Sequence, residues 1–163
     1  MAINVRKGNA HSLAQTDFVG TLVTSEGVEA GHLVYKNATG GIEKLEKLDN
    51  ATRGSATNLV ADTVLLGFAV TTQAEGDAIE SGKIGVYALD GGSVIETDKF
   101  TGTVVAADIG KPVVQDSNSG SDGNVCVVAS GTTERIIGYV FDIPRNIFVG
   151  QTAVSVLPIK LKS

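Results

Sequence analysis

The sequence has very little cysteine, proline or aromatic residue, and each shortage removes a class of function. Cys126 is the one cysteine in 163 residues, so no intrachain disulfide is possible and folding asks for no oxidising compartment. It lies within the apolar run Val125 to Val128, where a buried, unreactive thiol is the expected state. With no tryptophan and only three tyrosines, there is little surface for stacking on sugar rings. No apolar run approaches the roughly 18 residues that a membrane helix needs, and no span is expected. The opening MAINVRKGNAHS lacks the apolar core and small-residue cleavage pattern of a signal peptide, so synthesis and folding in a cytoplasm are expected. The 13 Lys and Arg form no basic stripe and are outnumbered by 18 Asp and Glu, a net charge of −5. Such a field repels phosphate backbones, and nucleic-acid binding is not expected.

What is abundant is glycine, 20 residues, spread among short alternating runs. An apolar fraction of 42% with 19% charged residues is that of a folded domain. The length suits one core. The reading is a single β domain over residues 18–163, preceded by residues 1–17.

The clearest stretch runs from Val64 to Thr97. Val64, Leu66, Phe68, Val70 and Thr72 alternate with Leu65, Gly67, Ala69 and Thr71, which is strand spacing. A turn-prone Ala-Glu-Gly-Asp follows, then a strand from Lys83 to Leu89. Asp90-Gly91-Gly92 then leads into Ser93 to Thr97 as a hairpin, so the whole reads as a β-meander.

Around it, Phe18–Ser25 and Gly31–Lys36 read as strands, with Asn37–Gly41 as a turn. Ile42, Leu45 and Leu48 are spaced for a helical turn or an irregular strand. Residues 49–63 read as a surface loop. Phe100–Ala107 is a further strand, and Pro112 belongs at the start or edge of the next. Asn124–Ser130 and Arg135–Ile143 follow, joined by the hairpin-length Gly131-Thr132-Thr133. Ala153–Leu157 is the last strand, and Pro158 marks an edge or exit. The terminus is either frayed or an extended arm along a partner, with Ile3, Val5 and Leu13 as apolar anchors and Arg6 and Lys7 beside them as contact candidates.

An internal echo runs through the chain. Ala30–Lys36 (AGHLVYK) resembles Ile109–Gln115 (IGKPVVQ), and Leu66–Val70 (LGFAV) resembles Ile137–Phe141 (IGYVF). The recurring unit is a glycine turn into a strand, a variable loop, then an apolar strand holding one glycine. Two such units suggest a small β-barrel or β-sandwich with glycine-rich turns.

Chemistry is scarce. His11 and His32 share no motif with an acid or nucleophile, no G-x-S-x-G is present, and both rings are expected to be solvated. Asp116, Asn118 and Asp122 offer oxygens in one loop, yet Gly120 occupies a ligand position and Val127 stands where a closing Glu belongs, so no calcium site is expected. No phosphate-cradling glycine loop exists. Asp77, Glu80, Asp90 and Glu96 flank turns without forming an evident acid pair. No catalytic residue, cofactor or metal is expected.

The segments EAGHLVYKNATGGIEKL, LLGFAVTTQAEGDAIESGKIGVYALDGGSVIET and GKPVVQDSNSG with IIGYVFDIP resemble, in the style and order of elements, the capsid decoration (cement) proteins of tailed bacteriophages. The resemblance covers residues 26–143. It implies a compact, often homotrimeric β domain without enzyme activity, bound to the outer face of the major capsid protein lattice and stabilising the expanded head. It also implies an extended terminal arm, which residues 1–17 would supply through Ile3, Val5, Arg6, Lys7 and Leu13. The alternative is a ligand- or receptor-binding β module of a phage tail or fibre.

Overall fold

The computed structural model describes residues 3–7, 17–19, 27–36, 42–44, 64–70, 83–89, 92–116 and 123–162. Within them the strands are β1 (Ile3–Lys7), β2 (Asp17–Val19), β3 (Leu33–Lys36), β4 (Ile42–Lys44), β5 (Val64–Ala69), β6 (Lys83–Ala88) and β7 (Val94–Thr97). They continue with β8 (Phe100–Thr101), β9 (Pro112–Gln115), β10 (Val125–Val127), β11 (Gly138–Val140), β12 (Arg145–Val149) and β13 (Thr152–Leu161). One sheet has the order β2-β6-β5-β3-β4; the other has β1-β7-β13-β11-β9-β10-β8, with β12 hydrogen-bonded to β13. The two sheets do not close into a barrel, so of the two expected architectures the sandwich is the one formed. One core joins them: Leu33, Tyr35, Phe68 and Tyr87 of the first sheet pack with Ile95, Val113, Leu157 and Ile159 of the second.

The internal echo is a repeat of register. Leu33 faces Phe68 and Val34 faces Gly67 across β3 and β5; Pro112 faces Tyr139 and Val113 faces Gly138 across β9 and β11. Gly67, Phe68 and Ala69 face Ala88, Tyr87 and Val86, just as Gly138, Tyr139 and Val140 face Leu161, Lys160 and Ile159. Val34, Tyr35 and Lys36 face Lys44, Glu43 and Ile42 as Val113, Val114 and Gln115 face Val127, Cys126 and Val125. At the far edge, Asp17 and Phe18 face Gly85 and Ile84 as Glu96 and Thr97 face Pro158 and Leu157.

Single hydrogen bonds repeat as well. The N–H groups of Gly31, His32, Ala69 and Val70 donate to the carbonyls of Ala69, Glu29, His32 and Gly85. Those of Gly110, Lys111, Val140 and Phe141 donate to Val140, Asp108, Lys111 and Pro158. The cause is local: Gly31 (φ 98) and Gly110 (φ 84) each supply the positive φ of a type II turn into a strand. The whole five-stranded sheet thus recurs as β7-β13-β11-β9-β10. The second sheet adds β1, β8 and β12.

Several expectations are corrected. Strands β5 and β6 pair as expected, but β6 and β7 lie in different sheets, so the chain changes sheets between them and the meander stops at β6. Strands β10 and β11 form no hairpin; both flank β9. The expected strand Phe100–Ala107 ends at Thr101, because Gly102 (φ 83) turns the chain and Ala106–Asp108 closes a 3-10 turn. Pro158 is neither edge nor exit. It sits inside ten-residue β13 between two neighbours. In a strand a residue's N–H and C=O point the same way, and Pro158 O accepts from Phe141 N–H (3.0 Å). Its missing donor therefore faces the interruption between β11 and β12. Ile42–Lys44 resolves as strand. The turns at 37–41 and 74–77 and the loop 49–63 lie outside the described residues.

Candidate interaction surface

Among the described residues the most exposed large apolar side chain, Phe148, lies on the β12–β13 hairpin, a pairing not expected from the sequence. Its register runs from Arg145 facing Val156 to Val149 facing Thr152, leaving Gly150 and Gln151 as a two-residue loop. Gly150 at φ 62 provides the positive φ that a II′ turn takes at its first central residue. Residues opposite each other in an antiparallel pair share a face. One face therefore carries Asn146, Phe148, Ala153 and Ser155, and the other carries Arg145, Ile147, Val154 and Val156.

The first face is the open one. Phe148 is 75% exposed, the largest exposure of any big apolar side chain among the described residues. At the base of this face a groove of about 540 Å³ is lined by Phe100, Val104, Val105, Ile143, Pro144 and Ser155. Ser155 belongs to both, so groove and hairpin face are continuous. Val105 (51%) and Ile143 (45%), which line the groove, are exposed too, whereas Val149 (43%) is exposed on the other face of the hairpin, opposite Thr152. Scattered single apolar residues are ordinary, but an exposed phenylalanine on a face that runs into an apolar-lined groove is the mark of a binding surface.

The hairpin is held at its base. Arg145 donates from Nε to Glu96 Oε1 (2.7 Å) and from Nη2 to Glu96 Oε2 (2.8 Å), a two-pronged contact onto a carboxylate that is fully buried on β7. That hydrogen bond raises the guanidinium above its ordinary pKa. The opposite wall of the groove is held too. Asp108 accepts from Val105 N–H (2.9 Å) and from Lys111 Nζ (2.7 Å), which together lower its pKa, the lysine contact contributing most. A protruding loop fixed in this way presents its apolar face with little ordering still to be done on binding.

The expected site residues fall elsewhere. Ile3, Val5, Arg6 and Lys7 lie in β1, which pairs with β7 of the same chain: Ile3 faces Thr97, Asn4 faces Glu96, Val5 faces Ile95 and Lys7 faces Val94. The register shifts between Val5 and Lys7, leaving Arg6 at a bulge. Leu13 and His11 lie outside the described residues, as do Asn118 and Asp122 of the loop weighed for calcium. Asp116 of that loop is buried and accepts from Thr101 Oγ1 (2.5 Å).

His32 is buried instead of solvated. Its Nδ1 accepts from Glu29 N–H (3.0 Å), and Gly123 leaves just enough room for the ring, since a Cβ there would come within 3.0 Å of it. Beside it Lys99 donates to the Glu29 carboxylate and lowers its pKa. Thr97 Oγ1 donates to Gly31 O (2.9 Å). These groups join the end of β7 to the turn before β3, tying the two halves together. Among the described residues no cluster of His, Cys, Asp and Glu has the makings of a metal site, and no helix is long and apolar enough to cross a membrane.

Comparison with protein-family models, with curated proteins and with solved structures finds no match to this chain.

Proposed function

We propose that this protein is a non-enzymatic structural component that attaches to a protein lattice through the β12–β13 hairpin and its groove. The observation that carries the reading is the anchored hairpin, with Phe148 at 75% exposure on a face that shares Ser155 with a groove of about 540 Å³. The resemblance of residues 26–143 to phage decoration proteins names the lattice: the outer face of the major capsid protein shell of a tailed bacteriophage. In this reading the chain resides on the virion surface, associates with itself as a homotrimer and stabilises the expanded head. Attachment of this kind needs no cofactor and no turnover. A shell under internal pressure gains from many modest contacts repeated by symmetry, each supplying a few kcal/mol.

A second reading, a ligand- or receptor-binding module of a tail or fibre, draws on a polar groove of about 530 Å³ lined by Thr132, Glu134, Arg135 and Lys162. Copy number separates the two. Quantitative mass spectrometry of virions of the source phage is expected to give one chain per capsid chain, or a simple fraction of it. A handful of copies favours the tail, and absence from virions overturns both.

A further inference from the structure

The repeat points to a second binding edge. In the second sheet the outer edge of β7 is covered by β1, with Ile3 facing Thr97 and Asn4 facing Glu96. The repeat makes β2 the counterpart of β7: Asp17 and Phe18 stand where Glu96 and Thr97 stand. Yet β2 ends its sheet, and among the described residues no strand plays the part of β1 there. Among the described residues the two equivalent edges, those of β7 and β2, are therefore met by one donor strand, β1.

Charge indicates what the outer edge of β2 takes. Residues 17–88, which hold the first repeat, carry ten Asp and Glu against five Lys and Arg, whereas residues 1–16 carry Arg6 and Lys7 and no acid. The donor strand is basic and the repeat that holds β2 is acidic. Asp17 occupies the register position that Glu96 holds opposite Asn4 of β1.

We propose that the outer edge of β2 accepts an extended segment of a partner protein with the chemistry of β1: apolar residues at alternate positions followed by basic ones. Backbone hydrogen bonds supply the binding, and the acidic repeat selects the basic segment. This proposal is independent of the hairpin and does not rest on it.

The test uses the full chain and a peptide of residues 1–10 as the probe, read by residue-resolved hydrogen exchange. The expected result is exchange about tenfold slower at residues 17–19 when peptide is added, with protection of residues 3–7 unchanged. Added salt is expected to weaken the effect, and a peptide carrying Arg6→Glu and Lys7→Glu is expected to lose it. Unchanged exchange at 17–19 overturns the proposal. So does loss of protection at 3–7 without gain at 17–19, which means the peptide displaces β1 from β7. Hairpin attachment to a lattice is read separately through Phe148, so the two can fail independently.

Discussion

Replacing Gly138 by alanine tests the packing of the second sheet at its centre. Gly138 is buried in β11 between Leu161 of β13 and Val113 of β9. A Cβ added there would lie 2.5 Å from Lys160 O and 2.7 Å from Ile159 Cγ2. The nearer atom is backbone of a central strand, so relief requires β13 to move by several tenths of an ångström against β7 on its other side. Overpacking of a well-filled interior costs about 1–3 kcal/mol, and a backbone obstacle places Gly138→Ala at about 3 kcal/mol or above. For a chain of this size that is a fall in Tm of roughly 6–12 °C.

Gly150→Ala is the control. Nothing lies within 4 Å of its added Cβ, but φ is 62, so only the left-handed conformation resists, at about 1–2 kcal/mol. Calorimetry of both variants, with urea unfolding to confirm an unchanged m-value, is expected to rank Gly138→Ala as the more damaging. Adding Ile159→Ala is not expected to rescue it, since the carbonyl obstacle remains. A Gly138→Ala protein melting within 2 °C of wild type (about 0.5–1 kcal/mol), or melting above Gly150→Ala, refutes the reasoning.

Three further outcomes are expected. In a double-mutant cycle of Glu96→Gln and Arg145→Ala, the losses in Tm should be strongly non-additive, because either change alone strands half of a two-pronged contact to a buried carboxylate; simple additivity contradicts the contact. The Glu29 carboxyl is depressed below 4.5 by Lys99, so its contribution to stability is present above that unfolded value and is lost as pH falls through the lowered folded one. Chemical denaturation between pH 5 and pH 2 should show this acid-side loss diminished in Lys99→Met, and an identical profile in both proteins counts against it. Phe148→Ser should leave stability within about 0.5 kcal/mol of wild type in urea unfolding, since the ring is 75% exposed; a larger loss would show that the ring is packed.

The repeat was legible in the sequence because its signals are local. Gly31 and Gly110 each turn into a strand, and Gly67 and Gly138 each interrupt an apolar one, so their spacing shows in the text of the chain. Pairing across long separations was not legible. Asp90-Gly91-Gly92 has the composition of a hairpin loop, yet Gly92 N–H donates to Leu161 O, and β7 takes β1 and β13 as its neighbours. Pro158 reads as an edge residue because its missing donor is evident, while the strand break that receives it is a tertiary feature. The β12–β13 hairpin did leave a trace: Gly150-Gln151 lies between Ile147-Phe148-Val149 and Thr152-Ala153-Val154. Attention to apolar residues on both sides of that two-residue loop would have found the exposed surface.

The most direct test of the lattice-binding account is co-sedimentation of the purified protein with expanded phage heads that lack it. The account predicts that wild type pellets with the heads in fixed proportion to the capsid protein, whereas Phe148→Asp, folded by circular dichroism, remains in the supernatant. Equal pelleting of Phe148→Asp and wild type would remove the hairpin from the interface, and failure of wild type to pellet would contradict the capsid reading itself.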